Sequence, residues 1–282
     1  MNILEAIFLG VIQGLTEFLP ISSTGHLTVA GKLMGLISAE NPEEWTAFIA
    51  VIQLGTLAAV LIYFWNDLLY IVKDFLSDNL FKPKKFADQS PNSKMGWYLI
   101  IATLPVVVIG LLFKDTIEGV LTKNLIVISI SLIALGIILF IAEKLGKFDR
   151  DQKKINWFDS LIIGLAQSLA LIPGSSRSGT TITAGLFLGF NRETAARFSF
   201  LMSIPAVLAS GLLQFYQSLD QLNFNSSINL IAATLVSAVV GYLSIEFLLR
   251  YLRKRSVMVF VVYRIAIGIL ILLLIYNGVI QS

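Results

Sequence analysis

Eight apolar segments dominate this chain of 282 residues and limit what it can fold into. A helix that spans a membrane needs about 20 mostly apolar residues. Only 14% of the residues are charged, whereas soluble domains carry about 25%, so a soluble globular protein is excluded. The sequence predicts an all-α integral membrane protein with six transmembrane helices, at Ala47–Trp65, Gly96–Phe113, Leu125–Ala142, Phe198–Phe215, Ile228–Leu249 and Val257–Tyr276.

The other two apolar segments are each interrupted near the middle. Ile3–Leu36 is broken at Pro20–His26, and Trp157–Phe190 is broken at Pro173–Gly179. Most of the resulting arms are shorter than the roughly 20 residues that a membrane crossing requires. Irregular backbone is tolerated at membrane depth only where protein or water covers it. Both segments are therefore predicted to form re-entrant helical hairpins, over residues 3–36 and 157–190.

The two interrupted segments also resemble each other in sequence. Gly-x-x-Gln at 10–13 recurs at 164–167, and Ala-Gly at 30–31 recurs at 184–185, an offset of 154 residues (164 − 10 and 184 − 30). Repeats with discontinuous helices that meet near the midplane are typical of inverted-topology membrane folds. The chain is interpreted as one membrane domain, residues 1–282, built from two inverted repeats at about 1–142 and about 157–276.

Basic residues predict how the chain is oriented. Three connections, 66–95, 143–156 and 250–256, hold 14 of the 21 lysines and arginines. Cytoplasmic loops carry such an excess, so these three should face the cytoplasm and both termini the outside. The first hairpin would then enter from the outer side and the second from the cytoplasm. The net charge of +3 is too small to indicate a nucleic-acid partner.

Polar residues at membrane depth gather at the two breaks. Gln13 and Glu17 are spaced i, i+4 and share one helix face. A short helix is expected to begin near Gly25 and another near Gly179, and a helix N-terminus attracts anions. The set predicts a site for a polyanion such as phosphate or pyrophosphate, with binding residues Ser22, Thr24, Gly25, Gly174, Ser175, Ser176, Ser178, Gly179 and Thr181.

Four residues of this set suit phosphoryl transfer, which depends on positioning and on neutralising phosphate oxygens. Arg177 offers a planar fork of donors that stays charged. Ser23 is a candidate nucleophile, and His26, the only histidine, is expected to take its proton. Glu17 is expected to hold a hard cation that bridges the phosphates. The chain has no cysteine, which excludes thiolate zinc sites and cysteine nucleophiles.

Other interpretations of these residues stay open. Glu17 and Arg177 could form a purely structural ion pair that fastens the hairpins together, and the serines could bond to their own backbone. Inverted repeats with broken helices also fit a secondary transporter or lipid flippase for a phosphate-bearing substrate. Elsewhere, Glu246 and Arg264 are expected to pair between the last two spans or to extend toward the basic connection at 250–256.

The motifs at the breaks match those of a known family. Gln13-Gly-Leu-Thr-Glu17 precedes Pro20-Ile-Ser-Ser-Thr-Gly-His26, and Pro173-Gly-Ser-Ser-Arg-Ser-Gly179 follows in the second half. On these motifs the chain resembles, over essentially its whole length, the undecaprenyl-pyrophosphate phosphatase family, also called bacitracin-resistance proteins. The resemblance implies hydrolysis of undecaprenyl pyrophosphate to undecaprenyl phosphate and inorganic phosphate. That reaction recycles the lipid carrier for peptidoglycan synthesis and confers bacitracin resistance.

The resemblance also implies roles for individual residues. Glu17, Ser23, His26 and Arg177 match the family's essential acid, proposed nucleophile, histidine and arginine; further matched positions are Ser22, Ser176 and Thr181. A divalent cation, Mg²⁺ or Ca²⁺, is implied, with Glu17 and Gln13 as its expected ligands. Some members have a glutamate where this chain has Gln13, so the expected cation site holds one carboxylate.

The resemblance also implies the partners of the protein and its location in the cell. The resemblance implies a polyprenyl pyrophosphate lipid and the bilayer as partners, and a multi-pass protein of the bacterial plasma membrane. Its active site is expected to face the outer side of that membrane. The oligomeric state is left open by the sequence, with a homodimer among the arrangements considered.

Overall fold

The computed structural model describes residues 1–37, 42–113, 124–218 and 224–281. Within these ranges the regular structure is helical and no β-strand occurs, which confirms the predicted all-α class. The α-helices of the described residues are α1 (Ile3–Phe18), α2 (Ser23–Leu33), α3 (Pro42–Tyr63), α4 (Trp65–Leu76), α5 (Pro91–Leu112), α6 (Leu125–Leu145), α7 (Trp157–Ser168), α8 (Arg177–Phe187), α9 (Arg192–Ser218), α10 (Phe224–Leu252) and α11 (Met258–Tyr276).

Five segments of the described chain are long and apolar enough to cross a membrane. They fall on five of the six predicted spans: Trp45–Tyr63, Pro91–Leu112, Leu125–Leu145, Ile228–Leu252 and Met258–Tyr276. The sixth predicted span, Phe198–Phe215, lies in α9 and runs into residues whose side chains fall outside the described part, so it stays a prediction. These helices make the chain a multi-pass membrane protein.

The two interrupted segments are broken where the sequence predicts. α1 ends at Phe18 and α2 begins at Ser23; α7 ends at Ser168, and α8 begins at Arg177 after a 3₁₀ turn. The new helices start two residues earlier than predicted, because Ser22 and Ser176 act as their N-caps. Each of these short helices has 11 residues, about half a membrane-spanning length.

The starts of α2 and α8 have nearly the same backbone. Ser22 has φ 76° and Ser176 has φ 66°, a left-handed conformation that is uncommon for a residue with a side chain. Each serine Oγ accepts a hydrogen bond from the N–H three residues later, Gly25 N at 3.3 Å and Gly179 N at 3.2 Å. The serine caps therefore stabilise a sharp change of direction into each short helix.

The helices that lead into and out of the breaks match as well. α1 and α7 both begin with a capping box, formed by Asn2 with Glu5 and by Asn156 with Asp159. α2 and α8 both end at a left-handed glycine, Gly35 with φ 66° and Gly189 with φ 85°. Positions 2 and 156, and positions 35 and 189, are separated by 154 residues, the spacing of the sequence repeat (156 − 2 and 189 − 35).

Close helix packing brings the two breaks into the interior. α1 lies along α10, where a Cβ on Gly10 would meet the Ala233 carbonyl oxygen at 2.5 Å. α7 lies along α5, where a Cβ on Gly164 would meet the Ala102 carbonyl oxygen at 2.5 Å. Small residues allow such close approach between membrane helices. α8 is buried along most of its length and contacts α6, α7 and α9.

The basic connections are more ordered than the sequence indicates. The first contains α4 and a π-helical turn, Ser77–Phe81, neither of which is predicted. Asp78 in this turn pairs with Lys84 at 2.7 Å and accepts the Ser90 N–H at 2.8 Å. In the second connection Arg150 pairs with Asp159 at the start of α7. The connections therefore fasten helix ends as well as carrying positive charge.

Candidate active site

Glu17 lies at the centre of a polar cluster formed where the two breaks meet. It is the second-last residue of α1 and is 7% exposed. Its Oε1 accepts from Arg177 Nη2 at 2.7 Å, and its Oε2 accepts from Ser23 Oγ at 2.7 Å. Gln13 Nε2, one turn earlier, donates to the same Oε2 at 3.1 Å. The carboxylate therefore links an arginine on α8 with a serine on α2.

Arg177 is the first residue of α8, and only part of its donor set is used. Nη2 bonds Glu17, whereas Nη1 is buried without a hydrogen-bond partner among the described residues. Ser175 Oγ, just before it, is also buried and without a partner there. A buried donor left unpaired costs free energy unless a ligand or water completes it. The site therefore offers unused donors next to an ion pair, as an anion site requires.

His26 does not bond Ser23, which corrects the predicted serine–histidine pair. His26 Nδ1 lies 2.7 Å from the carbonyl oxygen of Ser22, and Nε2 lies 2.8 Å from the hydroxyl of Tyr263. A carbonyl oxygen only accepts, so Nδ1 carries a proton and donates it. In the neutral ring Nε2 then accepts from Tyr263. The partner of the Ser23 hydroxyl is Glu17 instead, because the imidazole turns back toward the preceding turn.

Several of the predicted binding residues have structural partners. The N–H groups of Gly25 and Gly179, expected to bind the anion, are capped by serine oxygens. Ser178 Oγ donates to the Leu19 carbonyl oxygen at 3.0 Å and thereby joins the two breaks. Thr181 bonds Ser199 Oγ at 2.6 Å inside the helix packing. Gly174 has φ 85°, and a Cβ there would meet the Ile128 carbonyl oxygen at 2.4 Å, so it serves the turn.

The first turns of α2 and α8 keep other backbone donors free of helix bonding. In an α-helix the earliest N–H groups precede the first available carbonyl. The first backbone hydrogen bond of α2 is donated by His26 N to Ser22 O, and that of α8 is donated by Thr180 N to Ser176 O. This leaves the N–H groups of Ser23 and Thr24 on α2, and of Arg177 and Ser178 on α8, without an intrahelical acceptor. Helix N-termini of this kind favour a negatively charged ligand.

The residues present fit a cation that is shared with the substrate. The described residues contain no cluster of three or more acidic, histidine or cysteine side chains, and Glu17 is the carboxylate of the site. Mg²⁺ is commonly bound through one or two carboxylates together with substrate phosphates and water. Glu17 matches that ligand requirement, and Gln13 beside it would add its amide oxygen after giving up the bond that its Nε2 donates to Glu17.

Three contacts in the site were not predicted from the sequence. Gln53 on α3 approaches Glu17 Oε1 at 3.5 Å, and Tyr263 bonds His26. Arg264 does not pair with Glu246, which instead bonds Tyr63 and Arg250. Arg264 lies in the interior between the two breaks. The sequence signal for Arg264 was its position in the middle of an apolar span, because charged residues inside the membrane commonly mark function.

The fold and the site together define a polytopic helical membrane protein in which a serine and an arginine from two helix breaks bond one buried acid. The family model described as Bacitracin resistance protein BacA matches residues 6–270. The chain belongs to this family.

Individual relatives align along nearly the whole chain. The chain is 62% identical over 268 residues to a protein from Syntrophobacter fumaroxidans named undecaprenyl-diphosphatase, covering 95% of each chain. It is 50% identical over 287 residues to a protein of the same name from Chlorobium phaeovibrioides, covering 99% of each. A third undecaprenyl-diphosphatase, from Chlorobium phaeobacteroides, is 50% identical over 291 residues and is covered completely.

Proposed function

We propose that this protein hydrolyses undecaprenyl pyrophosphate to undecaprenyl phosphate and inorganic phosphate. The observation that carries the proposal is the junction of the two breaks, where Ser23 Oγ and Arg177 Nη2 bond the two oxygens of Glu17. Relatives of 62% and 50% identity carry the name undecaprenyl-diphosphatase. The reaction recycles a lipid carrier for peptidoglycan synthesis and confers resistance to bacitracin.

In the first step Ser23 attacks the terminal phosphorus of the lipid pyrophosphate. Glu17 Oε2, 2.7 Å from Ser23 Oγ, takes the hydroxyl proton as the new phosphorus–oxygen bond forms. The bond from that phosphorus to the bridging oxygen breaks, and undecaprenyl phosphate leaves with the electron pair. Arg177 Nη1, which has no other partner in the described chain, binds the oxygens that gain charge.

In the second step water hydrolyses the phosphoserine. The leaving group of the first step is itself a phosphate and needs little help from an acid, so His26 is available for the water. A proton of the water passes through the Tyr263 hydroxyl to His26 Nε2, 2.8 Å away, and His26 then gives it to the departing phosphate. Glu17 returns its proton to Ser23 Oγ as the phosphorus–oxygen bond breaks and inorganic phosphate is released.

A divalent cation, Mg²⁺ or Ca²⁺, fits the same proposal. Glu17, with the Gln13 amide one turn earlier, would hold it together with the phosphates of the substrate. When bound, such a cation neutralises phosphate charge. Arg177 and the N–H groups of the first turns of α2 and α8 orient the phosphates in either case.

The arrangement in the membrane forms part of the proposal. We infer two inverted repeats with six spans, in which α1–α2 and α7–α8 are the re-entrant hairpins. The matched serine caps, capping boxes and terminal glycines at an offset of 154 residues support this interpretation (176 − 22, 156 − 2 and 189 − 35). The three basic connections are assigned to the cytoplasm, so the site opens to the outer side of the bacterial plasma membrane.

Transport of a phosphate-bearing lipid is the alternative that the repeats suggest. A transporter needs an anion site between broken helices, and this fold would supply one. It has no need for a serine hydroxyl held by a buried carboxylate. That bond favours hydrolysis over transport.

The test is phosphate release by the purified full-length protein in detergent. Undecaprenyl pyrophosphate is supplied with Mg²⁺ or Ca²⁺, and inorganic phosphate is measured. We expect release by the wild type and a loss of about 10⁴-fold or more in Ser23→Ala, the scale seen when a serine nucleophile is removed. Ser244→Ala is the matched control, because Ser244 bonds only the backbone within α10 and should leave activity unchanged. Wild-type protein that releases no phosphate with either cation would contradict the proposal.

A further inference from the structure

Arg264 is a fully buried arginine surrounded by backbone oxygens. It lies in the apolar helix α11 and is 0% exposed. Nη1 donates to the Pro20 carbonyl oxygen at 3.2 Å, and Nη2 donates to those of Gly174 and Ser175 at 3.4 and 2.9 Å. Nε donates to the Leu132 carbonyl oxygen on α6 at 3.3 Å. No carboxylate pairs with it among the residues that the structure describes.

Three of the four acceptors that Arg264 has among the described residues belong to the two breaks. Pro20 lies two residues before the cap Ser22, and Gly174 and Ser175 immediately precede the cap Ser176. The residue after each cap has a role in the proposed reaction. Ser23, the nucleophile, follows one cap, and Arg177, which binds the phosphate, follows the other. A single guanidinium therefore holds the backbone of both breaks next to the residues that meet at Glu17. Irregular backbone at membrane depth needs such partners, because lipid offers none.

The neighbouring helix is shaped around this guanidinium. A Cβ on Gly179 would lie 2.3 Å from Arg264 Nη1, so a side chain at this position would displace it. Gly179 is in the first turn of α8, two residues after Arg177. The matched residue of the first break, Gly25, faces Ile128 instead at 3.2 Å. The requirement for glycine at 179 thus has a specific cause that its counterpart lacks.

The charge of Arg264 exceeds what hydrogen bonding to carbonyl groups requires. Neutral amide donors bind carbonyl oxygens without bringing a net charge into the apolar interior, where a charge is costly. The nearby Glu17 and Arg177 form a pair with no net charge. Arg264 therefore adds a positive charge, uncompensated in the described chain, beside the site where a pyrophosphate would lie. A polyanion compensates a charge of this sign.

We propose that Arg264 is the positioning residue of the phosphate site. It holds the two breaks at the separation that lets Ser23 and Arg177 act on one phosphorus, and its charge strengthens binding of the pyrophosphate group. This inference rests on the proposed phosphatase function. Arg264 acts on the reaction through the two breaks and through its field, without touching the reacting atoms.

The test compares Arg264→Lys, which keeps the charge but loses the fork, with Arg264→Met, which loses both. For each, kcat and KM for undecaprenyl pyrophosphate are measured on folded protein, together with the thermal stabilisation produced by inorganic pyrophosphate. We expect kcat to fall about 100-fold in both variants, because a small misplacement of reacting groups has that effect. KM should rise only in Arg264→Met, by about 10-fold, and its stabilisation by pyrophosphate should be lost.

Two glycine variants separate positioning from packing. Gly179→Ala pushes against the guanidinium and should lower kcat while leaving KM near the wild-type value. Gly136 lies at the α6–α11 contact, where an added Cβ would lie 3.5 Å from Arg264 Cβ and away from the charged end of that side chain. Gly136→Ala should therefore retain wild-type activity. If Arg264→Met does not fold, the kcat of Gly179→Ala relative to Gly136→Ala decides. Equal kcat in these two variants would overturn the inference.

Measurements on Arg264→Met give two further outcomes that would overturn the inference. Folded Arg264→Met with wild-type kcat and KM would overturn it, as would equal pyrophosphate stabilisation in Arg264→Met and wild type. Wild-type protein that releases no phosphate would defeat the proposed function instead. The pyrophosphate-binding comparison would then still support or overturn the role of the Arg264 charge.

Discussion

The break before α2 and the break before α8 share a backbone but carry different side chains. Both have a serine cap with positive φ and a glycine three residues later, and both short helices contain 11 residues. At an offset of 154, however, Ser23 corresponds to Arg177, His26 to Thr180, and Glu17 to Leu171 (177 − 23, 180 − 26 and 171 − 17). The first break supplies the carboxylate of Glu17, the hydroxyl of Ser23 and the imidazole of His26, whereas the second supplies the guanidinium of Arg177.

The difference shows how a repeated scaffold yields one asymmetric site. The serine caps and glycines serve the turn in both halves, so they are alike. Ser23 and Arg177, which correspond to each other in the repeat, meet at Glu17, whose counterpart Leu171 is apolar. Gln13 and its counterpart Gln167 are the same residue type but differ in their hydrogen-bond partners. Gln13 bonds Glu17, while the buried amide of Gln167 has no partner among the described residues.

A large effect that separates the two breaks is expected at Arg177. Arg177→Ala should lower kcat/KM by about 10³-fold, because it removes the phosphate donor and leaves Glu17 buried without its partner. Arg177→Lys should lose less, since it keeps the charge without the fork. The measurement is steady-state phosphate release. Near-normal turnover in both variants would show that the second break supplies no part of the site.

A smaller effect is expected for the acid of the first break. Glu17→Gln should lower activity about 100-fold, because the Ser23 hydroxyl loses its proton acceptor. It should also raise the Mg²⁺ concentration needed for half-maximal activity by about 10-fold. Titration of chelator-treated protein with Mg²⁺ measures both. An unchanged metal titration would remove Glu17 from the cation ligands while leaving its role toward Ser23 in place.

A modest effect is expected at Tyr263, whose bond to His26 has no equivalent at the counterpart Thr180 among the described residues. Tyr263→Phe removes the hydroxyl 2.8 Å from His26 Nε2 and should lower kcat by about 2–10-fold, the range of one neutral hydrogen bond. In a His26→Ala background the same change should have little further effect, because the two act together. Kinetics of both single variants and the double variant measure this. Fully additive losses would indicate separate roles.

The smallest effects are expected where the breaks are alike. Ser22→Ala and Ser176→Ala should each lower the free energy of unfolding by about 1 kcal/mol, the typical cost of losing an N-cap. Ser22→Gly and Ser176→Gly should cost less, because glycine tolerates the positive φ. Thermal unfolding in detergent measures all four variants. Clearly unequal losses at the two caps would contradict a shared backbone design.

Much of the fold could be predicted because it depends on segment length and interruption. The apolar stretches and their breaks determine where helices lie, and helices long and apolar enough to cross a membrane occur in the described chain at five of the six predicted spans. The helix α4 and the turn at Ser77–Phe81 were missed, because their order depends on partners such as Lys84 and Ser90 that meet only in the folded chain. Propensity within one segment does not report such contacts.

The site was predictable in its residues but not in its bonds. An ion pair between Glu17 and Arg177 was one of the interpretations that the sequence left open, and the two side chains do bond. Sequence spacing suggested that His26 serves Ser23, yet the ring bonds the carbonyl oxygen of Ser22 one turn back. The role of Arg264 could not be foreseen either, because its acceptors are backbone atoms from three distant parts of the chain.

The most direct test of the account is a structure with a methylene-bridged analogue of undecaprenyl pyrophosphate bound. The central claim is that Ser23 from one break and Arg177 from the other act on the same phosphorus. We expect the terminal phosphorus to lie about 3–3.5 Å from Ser23 Oγ, in line with the bridging carbon, with Arg177 Nη1 bound to its oxygens. A terminal phosphate out of reach of Ser23, or bound without Arg177, would contradict the account.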